Sequence, residues 1–333
     1  MNRHRPFLLL NATILVAVLT GCANFEAAKE FAKQGDDITT AVNAEIAFVT
    51  KGCAESVAMY RSLQADPTFT GPLDKACEAH DKALGELAAS TLDLFGKYNK
   101  ALAAIAEDKN YDLSASFKST ADRLKALKDK SGSIIKGEDV DVALKAANLL
   151  SDIILRVVRA RELKQLVAAG DINWTAVMSP LKTYFGPHAD NMQVVPSPYE
   201  ISIRANDSPL EAAVAMARSV SGPKLMGDGP GCVVPSNRTE AFEIRCETMW
   251  ARQLSYQVAQ KRKALEDRLP NPSKPTEPAP TAKKIHEAID AWVAAHAVLR
   301  EEISKPGATQ VWAALQQLRG RVDELDEALK ARE

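Results

Sequence analysis

Apart from His4 near the N-terminus, the chain holds four histidines: His80, His188, His286 and His296. Imidazole exchanges protons near neutral pH and is the commonest metal ligand, so a search for chemistry begins there. None of the four belongs to a complete catalytic or metal-binding motif. There is no His-Glu-x-x-His, no Gly-x-Ser-x-Gly and no P-loop. His80 and His296 fall on apolar heptad seams, where a polar side chain sets helix register. His286 and Asp290 lie one helical turn apart and could grip a metal, but such an exposed pair reads as solvated charge. His188-Ala189-Asp190, close to Tyr184 and Phe185, is the least implausible place for acid–base work. The basic run Lys261-Arg262-Lys263, with Arg252 and Arg268 nearby, could meet anionic groups and otherwise forms a solvated helix face. Gly227-Asp228-Gly229-Pro230-Gly231 lacks the spacing of a phosphate cradle and reads as a turn. The expectation is no catalytic residue, no metal and no cofactor. The remaining candidates are aromatic: Trp174, Tyr184, Phe185, Tyr199 and Trp250 could line a ligand cleft.

The elements that would position these residues follow from composition. The 333 residues include 53 alanines, 16 glycines, 17 prolines and 19 aromatics. Ala-rich, Gly-poor and aromatic-poor usage excludes a β-sandwich, a barrel and a Gly-rich nucleotide-binding sheet. A net charge of −1 excludes a dedicated nucleic-acid binder. No proline falls between Leu73 and Ser179, and proline costs about 3 kcal/mol inside a helix. The expected fold is all-α, an elongated bundle of long antiparallel hairpins with an irregular Pro/Gly-rich insert. Ile38, Val42, Ile46, Val49, Cys53, Val57 and Tyr60 mark one long helix. Leu73, Cys77, His80, Leu84, Leu87, Thr91, Leu94 and Tyr98 mark its returning partner, with a heptad period. A shorter helix follows over 111–130. Residues 138–169 make the most apolar helix, expected to be central. The irregular segment 172–236 contains a strand-like alternation, Tyr199 to Arg204, and a capping box at Ser208-Pro209-Leu210-Glu211. A further helix is expected over 237–268. Five prolines in residues 270–280 predict an extended spacer. Beyond it, Ile285, Ile289, Trp292, His296, Leu299 and Ile303 form a seam that Val311, Leu315, Leu318, Val322, Leu325 and Leu329 answer. This second hairpin exposes apolar surface and must dock on the main body, on another protein or on its own copy.

The N-terminus carries the most specific motif. Arg3, His4 and Arg5 precede an apolar run, Phe7 to Leu19, too short to span a membrane, which ends Leu19-Thr20-Gly21-Cys22. This ending resembles the lipobox of bacterial lipoprotein precursors, a likeness confined to about the first 22 residues. It implies cleavage before Cys22 and a lipid, palmitate among its chains, on that cysteine. Ala23 in place of Asp implies the outer rather than the inner membrane of a Gram-negative envelope, facing the periplasm. Several acyl chains anchor a protein without a membrane-spanning helix. Loss of residues 1–21 removes two arginines and no acid, taking the net charge from −1 to −3.

With Cys22 acylated, four cysteines remain: Cys53, Cys77, Cys232 and Cys246. In an oxidising compartment an even remainder reads as disulfides, and proximity favours Cys53–Cys77 and Cys232–Cys246. The expected organisation is a signal peptide (1–21), a main bundle (22–269), a Pro-rich linker (270–281) and a C-terminal hairpin (282–333). The expected role is a non-enzymatic envelope scaffold or adaptor. It would contact another envelope protein or its own copy through heptad faces, with no nucleic acid bound. The alternative is a periplasmic ligand-binding lipoprotein using the aromatic cleft of 172–256.

Overall fold

The computed structural model describes residues 6–61, 84–107, 109, 113–130, 137–152, 159–168, 172–186, 188–190, 193–195, 197, 199–207, 210, 256–266, 268–269, 271, 273–274, 277–303, 305 and 309–330, with side chains from Phe25 onward. Cys77, Cys232, Cys246, His80 and Trp250 lie outside these residues. So do the side chains of Cys22, Cys53 and His188.

The fold is all-α, a helical bundle with antiparallel neighbours. The helices are α1 (Pro6–Arg61), α2 (Leu84–Ala106), α3 (Leu113–Lys130), α4 (Gly137–Ser151), α5 (Arg159–Val167) and α6 (Trp174–Phe185). A minimal antiparallel ladder follows, β1 (His188–Asp190) against β2 (Gln193–Val195), with Ala189 opposite Val194. Helices α7 (residues 199–207) and α8 (residues 256–266) come next. The chain ends in α9 (Pro280–Glu302) and α10 (Thr309–Lys330). Two compact units result. Unit 1 comprises 1–44, 83–184 and 283–333; unit 2 comprises 45–82 and 185–282.

Unit 1 shows its topology through side-chain pairs. Lys29 meets Glu107, Gly35 faces Asn99 and Thr39 faces Gly96, so α1 and α2 run antiparallel. Lys284 with Glu324, and Arg321 with Glu287, join the start of α9 to the end of α10 in the same sense. Asp93 on α2 accepts from Thr120 and Arg123 on α3 and pairs with Lys97. The C-terminal hairpin docks on the rest of unit 1: Trp292 and His296 of α9 pack between Phe31 of α1, Phe95 and Tyr98 of α2, and Trp174 of α6. The buried residues of α10 are Val311, Leu315, Leu318, Val322 and Leu325, the expected heptad.

Several expectations need correction. Among the described residues the most enclosed helix is α2; residues 153–158, the most apolar part of the expected 138–169 helix, lie outside them. Leu87, Ala88, Leu92, Leu94, Phe95, Tyr98, Ala101 and Leu102 are all buried, covering α2 nearly all round. In α4 only one face, Val140, Ala143, Ala146, Ala147 and Leu150, is buried, and Leu149 is exposed. Residues 199–204 belong to a helix rather than a strand. Ser197 caps it, its Oγ accepting the Glu200 N–H at 3.0 Å, and only Tyr199 and Ile203, one turn apart, face the core fully. The Pro-rich stretch is turned rather than extended where it is described. Lys274 N–H donates to the Asn271 carbonyl and Glu277 N–H to the Lys274 carbonyl. The Asn271 side chain accepts the Ser273 N–H, an Asx turn that competes with polyproline geometry.

Glycine spacing sets how closely α1 and α2 approach. A Cβ on Gly35 would stand 2.2 Å from Asn99 Oδ1, whereas one on Gly320 would meet nothing within 4 Å. Gly35→Ala should therefore destabilise by about 1–3 kcal/mol through overpacking. Gly320→Ala, in open space on α10, should stabilise by about 0.5–1 kcal/mol. Urea denaturation followed by circular dichroism measures both, and equal signs for the two would contradict this packing.

Candidate functional site

In unit 1, α1, α2, α6 and α9 surround one polar set in an apolar core. Trp292 is fully buried, stacked on His296 (centroids 5.3 Å apart) and crossed by Phe95 at 4.6 Å and Trp174 at 5.2 Å. Its indole Nε1–H donates to Asn99 Oδ1 at 3.2 Å, and Asn99 Nδ2 donates to the Phe95 carbonyl at 2.9 Å. Tyr98 Oη and His296 Nε2 lie 2.6 Å apart. Burial pushes the imidazole down to about 3, helped by the Arg300 charge. Burial also pushes the Tyr98 phenol upward. Both are neutral through the physiological range, so the pair is a hydrogen bond between two helices rather than a proton-transfer couple poised near pH 7.

In unit 2 the equivalent set is charged. Glu45, 1% exposed, receives Arg268 Nε at 2.7 Å on one oxygen and Arg268 Nη2 at 2.8 Å on the other. Tyr199 Oη donates to Glu45 Oε1 at 2.6 Å. The Arg268 guanidinium also lies 3.9 Å from the Phe48 ring centroid. Nearby, Asn206 Nδ2 donates to the Val49 carbonyl at 3.1 Å, above Gly52. A bidentate arginine inside a hydrocarbon core holds helices in register.

The expected site residues take these places. Trp174, Tyr184, Phe185 and Tyr199 are at most 4% exposed, so their rings belong to the cores rather than to a cleft wall. His286 Nε2 lies 2.9 Å from the Lys182 carbonyl, and Asp290 pairs with the Lys182 ammonium at 2.8 Å, so this pair serves to clamp α6 to α9. Burial lowers the His286 pKa. The basic run is largely neutralised: Lys261 pairs with Glu55, Arg262 with Asp207 and Arg268 with Glu45. Among the described residues no group of three or more His, Cys, Asp or Glu could hold a metal ion. Among residues with described side chains, no helix is long and apolar enough to cross a membrane.

Sequence reasoning missed Glu45, Asn99 and the surface groove beside α1. The groove, about 350 Å³, is lined by Glu26, Lys29, Lys33, Lys100 and Glu107, with Trp312 at its edge. Trp312 is 40% exposed, whereas Trp174 and Trp292 are buried. A signal for Glu45 existed: Ile38, Val42, Glu45 and Val49 keep a strict four-three-four spacing.

Two stability measurements test these sets. Arg268→Met leaves Glu45 charged and half-partnered in the core and should cost roughly 3–5 kcal/mol; Glu45→Leu added to it should recover much of that loss. An uncoupled pair of mutations would contradict the buried bridge. For His296 the folded value, about 3, lies below the ordinary 6.5. The unfolded chain therefore binds the proton first, and stability falls as pH drops from about 6.5 towards 3, at up to about 1.4 kcal/mol per pH unit. His296→Gln should flatten the stability–pH slope between pH 6 and 4; an unchanged slope would show that His296 is not held neutral.

Comparison with family models, with curated proteins and with solved structures returns no match for this chain.

Proposed function

We propose that the protein is a non-enzymatic, lipid-anchored scaffold or adaptor of a Gram-negative cell envelope, held on the outer membrane and facing the periplasm. The observation that carries this reading is one of spacing. The lipobox-like Leu19-Thr20-Gly21-Cys22 lies within α1, only a turn or so before Ala27 and Ala28, which are already fully buried in unit 1. A lipid on Cys22 would tie a folded bundle to the membrane through five residues rather than through a long flexible stalk.

The use of the ionisable groups supports an adaptor. Tyr98 with His296, Glu45 with Arg268, and Lys182 with Asp290 each join two helices across a packed interface. The outward helix faces carry paired charges such as Lys284, Glu287, Arg321 and Glu324. Because the heptad seams of α9 and α10 are spent inside unit 1, contact with another envelope protein falls to these polar faces. Such interfaces are transient in character and sensitive to salt.

Crosslinking in intact cells, followed by capture through a C-terminal tag, tests the reading. The expected result is a reproducible envelope protein in the captured material and its loss from Cys22→Ser cells. Capture of no protein partner across several growth conditions would overturn the adaptor role.

A further inference from the structure

The proposed acylation of Cys22 has a geometric consequence. Cys22 lies five residues before Ala27, which is 0% exposed. Five residues cover about 7.5 Å as helix and at most about 18 Å extended. The end of unit 1 at which α1 enters is thus confined to the headgroup region of the bilayer. Trp312, in the first turn of α10, lines a groove that runs along α1 from Glu26 to Asp36 and starts at that end. Further along, Asp326 of α10 acts electrostatically on Asp37 of α1, so α10 runs parallel to α1 with its N-terminus towards Cys22.

We propose that this end of unit 1 rests on the phospholipid surface, with Trp312 as its interfacial anchor. The inference rests on the lipoprotein reading above. Tryptophan suits the site because its ring favours the boundary between hydrocarbon and headgroups while its N–H stays hydrated. The charges around it alternate: Lys29 pairs with Glu107, and Glu107 with Lys109. A nearly neutral end fits zwitterionic headgroups and calls for no excess of anionic lipid.

The test uses the full-length protein extracted from membranes and reconstituted into phosphatidylcholine vesicles, with or without bromine on the upper acyl carbons. Wild type should show bromine quenching of tryptophan emission. Trp312→Phe, with unchanged helicity by circular dichroism, should lose most of that quenching. Adding anionic lipid should leave both unchanged. Equal quenching of wild type and variant, no quenching of either, or quenching only with anionic lipid overturns the proposal. Intact mass of the extracted protein separates the two ideas. An acylated Cys22 with no Trp312 quenching sinks the docking surface alone, whereas an unacylated Cys22 removes the anchor and the docking surface together.

Discussion

The packing of unit 1 turns on one side chain, Trp292, and the polar atom it brings into the core. A buried indole N–H without an acceptor would cost about 1–3 kcal/mol, so an acceptor must stand beside it. Asn99 supplies the oxygen, and it can do so only because Gly35 on α1 leaves room for the amide. That amide in turn spends its own N–H on the α2 backbone. Three helices are thereby fixed at one level. Small residues elsewhere, such as Gly96 against Thr39, are what close contact between α1 and α2 then requires. Tyr98, adjacent to Asn99 on α2, and His296, one turn after Trp292 on α9, repeat the arrangement with a second neutral hydrogen bond. The apolar seams supply most of the burial, and the polar pairs choose one alignment among the several that smooth heptads would permit.

Much of the helical framework was legible in the residues alone. The heptads of α9 and α10 coincide with buried positions except at Leu329, which is half-buried, because a seam facing one partner must recur every three and four residues. Thr91, Leu94 and Tyr98 were placed on the core side of α2 for the same reason. Three features were hidden. Glu45 sits on its heptad but was passed over for Ile46, since a carboxylate reads as surface until Arg268, 223 residues away, supplies its counter-charge. The alternation from Tyr199 to Arg204 suits a strand of period two, yet the Ser197 cap and the one-turn spacing of Tyr199 and Ile203 decide for helix. Trp312 stands one residue off the α10 seam, and only the position of α10 beside α1 shows that it lines a groove rather than the core. The disulfide pairs expected from cysteine arithmetic fall outside the described residues.

Charge is distributed by depth. At the surface, ion pairs such as Lys284 with Glu324 or Lys330 with Asp326 are exposed and contribute little each. Glu45 with Arg268 is the one ion pair among the described residues with both partners buried; Tyr199 Oη and the Arg268 Nε and Nη2 converge on its carboxylate, while Nη1 donates to the Ala264 carbonyl. Unit 1 solves the same registration problem with uncharged groups. The two units thus use opposite electrostatic strategies, one tolerant of salt and sensitive to acid through an imidazole, the other dependent on a guanidinium that never loses its proton.

The contact of Phe31 with Trp292 joins positions 261 residues apart in the chain. Among the described residues, Trp292 and His296 of α9 fill the space between α1, α2 and α6. During synthesis the first helices must wait, with Phe31 and Phe95 lacking the indole they pack against, until α9 arrives. Loop closure of this length slows folding. Unit 1 therefore closes its core only once α9 has joined the helices that precede it.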